Sequence, residues 1–262
     1  MVAESTYETI RVEVADRIAV ITLNRPDSLN ALNAGMRREL LAALKVVGRD
    51  EGVRAVVITG EGRGFCSGAD LRAGAAERGF RRVLTDEYNP LITAIRALPK
   101  PVIAAVNGVA AGAGVSLALA CDLVYASEEA RFIQAFVRIG LVPDSGSTRT
   151  LVRALGRHRA AQLIFSGEPL SADDALAAGL LNGVLPGDQL ASAARDAAAR
   201  LAAAPTRAIA LAKRAINHAE DADLDESLAM EAALQELAGR TDDHAEGVAA
   251  FSEKREPRFV GR

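Results

Sequence analysis

The chain has 262 residues, 50% of them hydrophobic and 25% charged, and 31 Lys and Arg against 34 Asp and Glu give a formal net charge of −3. These are ordinary globular proportions, which exclude disordered, collagen-like and coiled-coil proteins, and the core is large enough to need no disulfide or metal for stability. Without a basic excess, and with no Trp, three Tyr and seven Phe, nucleic acid and anionic membrane surfaces are not expected partners.

The first 145 residues alternate between strand and helix patterns. Two β-rich runs at residues 9–14 and 18–23 predict a hairpin. Asn33 can cap a helix over residues 34–47, where apolar residues recur at helical spacing. The alternation indicates an α/β fold with a largely parallel sheet. Further strands are predicted at 53–59, 102–106 and 122–126, and further helices at 91–98 and 112–120.

Residues 102–121 carry no charge over about the length of a membrane span. The run is nevertheless rich in Ala and Gly and includes Asn107 and Ser116. It therefore predicts a buried strand, a tight glycine turn and a buried helix.

After about residue 145 the pattern becomes almost wholly helical, and no internal repeat is visible. The layout predicts an α/β core over residues 1–200 and a helical C-terminal region over residues 201–262. That region has too little chain for a core of its own, so it should pack on the core or on another subunit. The predicted helices are 170–178, 189–203, 206–218 and 224–237.

The cysteines and the first residues bear on metal binding and location. Cys66 and Cys121 lie far apart with no CxxC motif, which excludes a disulfide framework and gives no support to a metal site. Residues 1–10 lack the basic-then-apolar pattern of a signal peptide, so a cytoplasmic location is expected. The glycine loop at 60–64 matches neither GxGxxG nor GxxxxGK[ST], which argues against a nucleotide site.

Two glycine-rich turns are the candidates for chemistry. One covers residues 64–71 after a strand, and the other covers residues 107–116 between a strand and a helix. Small residues let backbone N–H groups approach a ligand, and two such turns side by side can form an oxyanion hole. On the residues alone, turns that merely permit close packing are an equal alternative.

Residues 100–114, KPVIAAVNGVAAGAG, closely resemble the signature of the crotonase family, also called the enoyl-CoA hydratase/isomerase family. The resemblance covers essentially the whole chain. It includes residues 23–26 with 30–32, 64–71, 121–122, 139–143, 175–181 and 246–255.

The resemblance implies a crotonase-like spiral of ββα repeats with a helical C-terminal trimerisation region. It implies an acyl-CoA thioester as substrate, with coenzyme A part of the substrate and no separate cofactor or metal, and a homotrimer or a dimer of trimers. By motif match, the backbone N–H groups of Cys66 and Ala113 hold the thioester oxygen as it becomes an enolate, while the Cys66 thiol is expected to be a packed side chain.

The family's two hydratase glutamates are replaced by Ser116 and Phe136, neither of which can act as a carboxylate base. Asp144 lies where isomerases of the family place their acid/base, and its motif is most similar to that of the phenylacetate-pathway isomerases. We therefore expect C=C migration or rearrangement of a ring epoxide; hydration with Asp144 and a water, or CoA-thioester binding without catalysis, are the alternatives. Asp144 also fits a helix N-cap.

The resemblance further implies a set of substrate contacts, each of which has a plain packing or surface role as its alternative. The acyl pocket is expected near residues 73–90 and 130–139. The expected substrate-binding residues are Arg25, Ser67, Gly68, Ala69, Leu71, Gly112, Phe136, Phe251 and Lys254.

Overall fold

The computed structural model describes residues 7–73 and 78–262. It begins with the predicted hairpin, in which β1 (Ile10–Ala15) pairs antiparallel with β2 (Ile18–Leu23). Asp16 and Arg17 between them have φ of 52° and 65°, the left-handed backbone that a two-residue hairpin turn requires.

Eight further strands form. They are β3 (Ala55–Gly60), β4 (Gly64–Cys66), β5 (Val102–Val106), β6 (Val109–Ala111), β7 (Leu123–Ser127), β8 (Arg131–Ile133), β9 (Pro169–Ser171) and β10 (Gly183–Leu185).

The helices of the first half are α1 (Ala34–Arg49), α2 (Phe80–Val83), a π-helical turn (Leu84–Tyr88), α3 (Asn89–Ala97) and α4 (Ala113–Leu119). Those of the second half are α5 (Ser147–Ser166), α6 (Ala172–Ala177), α7 (Gly187–Ala203), α8 (Thr206–Ala219), α9 (Leu224–Ala238) and α10 (Asp242–Glu253).

The strands form two sheets, and the order of strands shows a structural repeat. The six-stranded sheet has the order β1-β2-β3-β5-β7-β10, and the four-stranded sheet has the order β4-β6-β8-β9. The strand pairs β3–β4, β5–β6 and β7–β8 each place one strand in each sheet, and a helical segment follows each pair. Except for β1 against β2 and β8 against β9, all neighbours are parallel. This is the expected spiral of ββα repeats.

The six-stranded sheet is covered on both faces, as parallel sheets require. One face and the smaller sheet share a large core with α1, α3 and α4. The other face packs against α7 through small residues, among them Ala194 and Ala198. The six-stranded sheet is therefore buried on both faces.

Local signals placed most elements within one or two residues. Asn33 caps α1, its side chain accepting a hydrogen bond from the Met36 N–H at 2.8 Å. The uncharged run forms buried β5 and buried α4, as predicted. The second turn between them contains a short strand, β6, that was not predicted because its partners β4 and β8 lie far away in sequence. No helix in the described ranges has the length and apolarity to cross a bilayer.

The expectation that the chain after residue 145 is almost wholly helical is wrong in two places. Pro169–Ser171 pairs antiparallel with β8, and Gly183–Leu185 pairs parallel with β7. The helix predicted at 170–178 is therefore a strand followed by the short helix Ala172–Ala177. These strands have three residues each, and their hydrogen-bond partners lie far away in sequence, so no local period marks them.

The helical C-terminal region is fastened to the core by a buried lysine. Lys213 on α8 donates hydrogen bonds to the carbonyl oxygens of Ile95 and Lys100 and to the Asp122 carboxylate at 2.7 Å. Asp122 in turn accepts the N–H of Val102. A buried cation satisfied in this way fixes where α8 lies on the sheet.

Candidate functional site

A cavity of about 530 Å³ lies between the two glycine-rich turns, the segment 78–88 and the loop before α5. It brings together most of the predicted site residues. Those that line it are Ser67, Gly68, Ala69, Leu71, Gly112, Ala113, Phe136 and Asp144. Part of the expected acyl pocket, residues 74–77, lies outside the described residues.

Glycines allow the two turns to lie against each other. A Cβ built on Gly114 would lie 2.1 Å from the Cys66 carbonyl oxygen, and one on Gly68 would lie 2.7 Å from the Ala111 carbonyl oxygen and 3.5 Å from the Ala113 nitrogen. No side chain fits at either position. The backbone around Cys66 therefore lies next to the N-terminus of α4.

Ala113 is the first residue of α4, and Gly112 before it has φ of 50° and ψ of −122°, which favours glycine. The N–H of a first helical residue has no intrahelical acceptor. It is thus a donor at the edge of the cavity. Cys66 is the last residue of β4, directly before the cavity-lining Ser67.

Two asparagine side chains, the buried Asn30 and the half-buried Asn107, hold the loop at residues 60–64 that leads into the first turn. Asn30, fully buried, donates hydrogen bonds to the carbonyl oxygens of Glu61 and Gly64. Asn107 donates to the Gly62 carbonyl oxygen and accepts the N–H of Gly60. The loop that leads into Cys66 and the first turn is therefore held in place by side chains from outside it.

Asp144 lies in the loop before α5 with its carboxyl group on the cavity. Burial raises the pKa of this carboxyl group above its ordinary value, and a hydrogen bond from the Ser145 hydroxyl at 2.9 Å opposes the rise. The N-cap alternative is wrong, because Gly146 is the N-cap of α5 without any side-chain bond. The Ser147 N–H bonds to the main-chain oxygen of Asp144 instead.

Ser116 and Phe136, the two positions where the resemblance implies glutamates in hydratases, have other uses here. The Ser116 hydroxyl donates to the main-chain carbonyl oxygen of Asp144 at 3.1 Å, which ties the Asp144 loop to α4. The Phe136 ring lies against Gly112, whose built Cβ would be 3.6 Å from the ring. Neither residue supplies a carboxylate, and Phe136 makes the wall beside the second turn apolar.

Arg25 does not line the cavity. Its guanidinium donates to the Ala31 carbonyl oxygen and pairs at 2.9 Å with Asp70, which does line it. Asp70 is thereby neutralised by a cation, whereas Asp144 has no cationic partner among the residues the structure describes.

Besides Arg25, three predicted residues are absent from the cavity lining. Cys66 is fully buried, and burial raises the pKa of its thiol to about 12, so the thiol is a packed neutral side chain at physiological pH. Phe251, 86% exposed, and Lys254, with φ of 53°, lie at the C-terminal end of α10. In the described ranges, no three His, Cys, Asp or Glu side chains gather as metal ligands would.

Two side chains of the cavity wall were not singled out from the sequence: Arg37, which lies outside every predicted site range, and Tyr88, which lies within the expected acyl-pocket range 73–90. Tyr88 and Arg37 both line the wall, with the Arg37 guanidinium 4.4 Å from the centre of the Tyr88 ring. A signal existed for Arg37, because it follows Met36 on the apolar stripe of α1, where a charged residue needs a buried partner. Tyr88 lies in a π-helical turn that no local pattern indicates.

Comparison with known proteins places this site in context. The family model for enoyl-CoA hydratase/isomerase matches residues 13–262. A "probable enoyl-CoA hydratase" of Rhodobacter capsulatus is 49% identical over 258 residues, covering 98% of this chain and 100% of the relative. The 1,2-epoxyphenylacetyl-CoA isomerase of Escherichia coli K12 is 44% identical over 262 residues, covering 97% and 99%. The crystal structure of an enoyl-CoA hydratase from Bacillus anthracis superimposes with a TM-score of 0.92 at 35% identity, covering 97% and 100%.

Proposed function

The chain belongs to the enoyl-CoA hydratase/isomerase family, and from that premise we propose that it is an isomerase that moves a C=C bond within an acyl-CoA thioester. One observation carries the choice: in the described part of the chain, Asp144 is the one cavity carboxylate without a cationic partner, and its pKa is raised by burial. A base with a raised pKa is better matched to taking up and returning a proton near neutral pH.

The proposed step needs one proton shuttle and one oxyanion site. The Asp144 carboxylate takes a proton from C2 of a 3-enoyl-CoA, and the thioester becomes a dienolate. The N–H groups of Cys66 and Ala113 donate hydrogen bonds to its oxygen. Asp144 then returns the proton to C4, which leaves the 2-enoyl-CoA. No cofactor is needed, because no atom or electron is gained or lost.

The apolar surroundings favour isomerisation over hydration. Hydration requires a positioned water and groups that split it across the double bond. The hydratase positions carry Ser116 and Phe136, and the Ser116 hydroxyl is occupied by the Asp144 carbonyl oxygen. Hydration by Asp144 and a water remains the second candidate, because several relatives are named enoyl-CoA hydratases.

The acyl group we propose first is aromatic. The Escherichia coli relative is named for a ring-epoxide phenylacetyl-CoA ester. The cavity has Phe80, Leu84 and Phe136 in its lining, which suits a flat apolar ring. A ring epoxide adjacent to an enolisable thioester uses the same base and the same oxyanion site.

The deciding experiment compares three substrates at equal concentration: crotonyl-CoA, a 3-enoyl-CoA and the ring-epoxide phenylacetyl-CoA ester. Products are identified by mass spectrometry and NMR. We expect isomerisation to outrun hydration; faster hydration of crotonyl-CoA replaces the proposal with the hydratase, and no turnover of any substrate leaves a CoA-thioester-binding protein.

The same assay tests Asp144. Asp144→Asn should lower kcat/KM by roughly 10²- to 10⁴-fold, the usual contribution of a general base, while CoA-ester affinity changes only a few-fold. Asp188→Asn is the matched control, because Asp188 is exposed on α7 away from the cavity lining. A near-parental rate of Asp144→Asn on every substrate removes Asp144 from the mechanism.

We also propose that the enzyme assembles as a homotrimer or a dimer of trimers. An apolar groove of about 660 Å³ lies between α8 and α9, lined mainly by Ala and Leu. Leu228 of this groove is exposed, as are Leu224 and Phe251 on the C-terminal helices, and an apolar groove open to solvent is typical of an interaction surface. In the trimer, Phe251 and Lys254 would reach a neighbouring CoA site. Light scattering that shows a monomer at micromolar concentration contradicts this assembly.

A further inference from the structure

A buried phenol in the cavity wall has no part in the proton shuttle. Tyr88, only 5% exposed, lines the cavity together with Asp144 and the first turn. Burial raises the pKa of its hydroxyl to about 12, so the group keeps its hydrogen at neutral pH. The negative charge of Asp144 is a further cause of the raised pKa, and both residues line the same cavity as Ser67 of the first turn.

A fixed guanidinium stands behind the phenol. Arg37, itself buried, donates to the Glu87 carboxylate through Nε at 3.0 Å and through Nη2. Its Nη1 donates to the Leu32 carbonyl oxygen at 2.5 Å and to the Tyr88 hydroxyl oxygen at 3.0 Å. Because a guanidinium only donates, the Tyr88 oxygen must be the acceptor.

The other neighbour of the hydroxyl, the Leu32 carbonyl oxygen, lies 3.4 Å away, long for an O–H···O bond. By the law of cosines, the three distances place Arg37 Nη1 and Leu32 O about 45° apart as seen from the Tyr88 oxygen. A phenol's hydrogen and the lone pair that accepts a bond are separated by far more than that. When the oxygen accepts from Arg37, its hydrogen therefore points away from Leu32.

No other acceptor for that hydrogen lies within hydrogen-bond distance in the described part of the chain. A buried donor without an acceptor costs free energy, so the hydrogen of this hydroxyl needs an acceptor atom from water or from a molecule bound in the cavity. The hydrogen bond from Arg37 also makes the Tyr88 hydroxyl a stronger donor, because a cation that donates to its oxygen polarises the O–H bond.

We propose that the Tyr88 hydroxyl donates a hydrogen bond to an oxygen atom of the acyl group, so that the cavity selects acyl-CoA thioesters oxygenated close to the reacting carbons, such as a ring epoxide or a ring hydroxyl. This inference rests on the proposed function for the location of the acyl group. Tyr88 is thus a specificity-determining residue, and Arg37 and Glu87 are its positioning residues.

Binding tests the inference without turnover. Isothermal titration calorimetry compares phenylacetyl-CoA with 2-hydroxyphenylacetyl-CoA. The parent protein should bind the hydroxylated ester roughly tenfold tighter, the effect of one hydrogen bond to a buried partner, and Tyr88→Phe should abolish the difference. Tyr125→Phe, which removes a phenol on the opposite face of the sheet, should leave it intact. An equal preference in the parent and in Tyr88→Phe, or no preference in the parent, overturns the inference.

Kinetics separate selectivity from a structural role. In Tyr88→Phe, kcat/KM for the ring-epoxide ester should fall roughly 10- to 100-fold further than kcat/KM for a 3-enoyl-CoA. Equal losses on both substrates, or a shifted pH profile common to both, mean that Tyr88 acts on the fold or on Asp144, and they refute the inference. If the parent turns over neither ester, the proposed function fails, while the binding comparison still decides the role of Tyr88.

Discussion

Replacing Gly114 with alanine should separate the two turns that carry the proposed oxyanion site. The added Cβ would lie 2.1 Å from the Cys66 carbonyl oxygen and 2.9 Å from the Cys66 carbonyl carbon. Non-bonded heavy atoms attract only at about 3.5 Å, so relief requires a shift of roughly 1 Å. The atom in the way is backbone, so no side chain can rotate to make room.

The magnitude follows from that shift. Oxyanion donors act at about 2.7–3.1 Å from the oxygen, and a displacement of about 1 Å can cost roughly 10²-fold in rate. Overpacking of this kind also costs about 1–3 kcal/mol of stability. We therefore expect Gly114→Ala to lose about 10²-fold in kcat/KM while remaining folded.

The assay is isomerisation of a 3-enoyl-CoA together with urea unfolding, and Gly239→Ala is the control. Gly239 has an ordinary helical φ of −64°, and its built Cβ would make a normal contact of 3.4 Å. Alanine there should be neutral or stabilising by about 0.4–1 kcal/mol, with unchanged kcat/KM. Parental activity and stability in Gly114→Ala would show that the turns do not need this close approach.

Three other outcomes are expected. Because burial raises the pKa of Asp144, kcat/KM should fall as the pH is lowered through that pKa. The same shift makes the folded protein more stable at low pH, where Asp144 is protonated, than above the pKa, where it is ionised. Asp144→Asn should therefore melt at a higher temperature than the parent at pH 7, and an unchanged or lower melting temperature contradicts this. Lys213→Met should lower the free energy of unfolding in urea by about 3–5 kcal/mol, because the buried Asp122 carboxylate loses its cationic partner. Adding Asp122→Asn should recover part of that loss, and a single Lys213→Met variant of parental stability would refute the buried pair. Leu228 is an exposed residue that lines the groove between α8 and α9. If that groove is the subunit interface, Leu228→Glu should lower the mass measured by light scattering, and an unchanged mass would place the interface elsewhere.

The sequence was sufficient to predict those elements that depend on residues close together in the chain. The hairpin, the Asn33 cap of α1 and the buried strand β5 depend on side chains a few residues apart, and all three formed as predicted. The resemblance of the whole chain to one family supplied the fold, because the motif residues are those that pack the turns. The ββα repeat, by contrast, left no repeat in the sequence, since each unit buries a different set of apolar side chains on a similar backbone.

Tertiary structure decided what depends on distant partners. The strands β9 and β10 form because their backbones pair by hydrogen bonds with β8 and β7, respectively. Asp144 faces the cavity, rather than capping α5, because its main-chain oxygen takes the Ser147 N–H and the Ser116 hydroxyl. Arg37 and Tyr88 meet 51 residues apart in the chain. The residue types determine which groups can donate a hydrogen bond, accept one or ionise. The direction in which a group points, and how far it is buried away from water, depend on elements that are distant in the sequence and meet only in the folded structure.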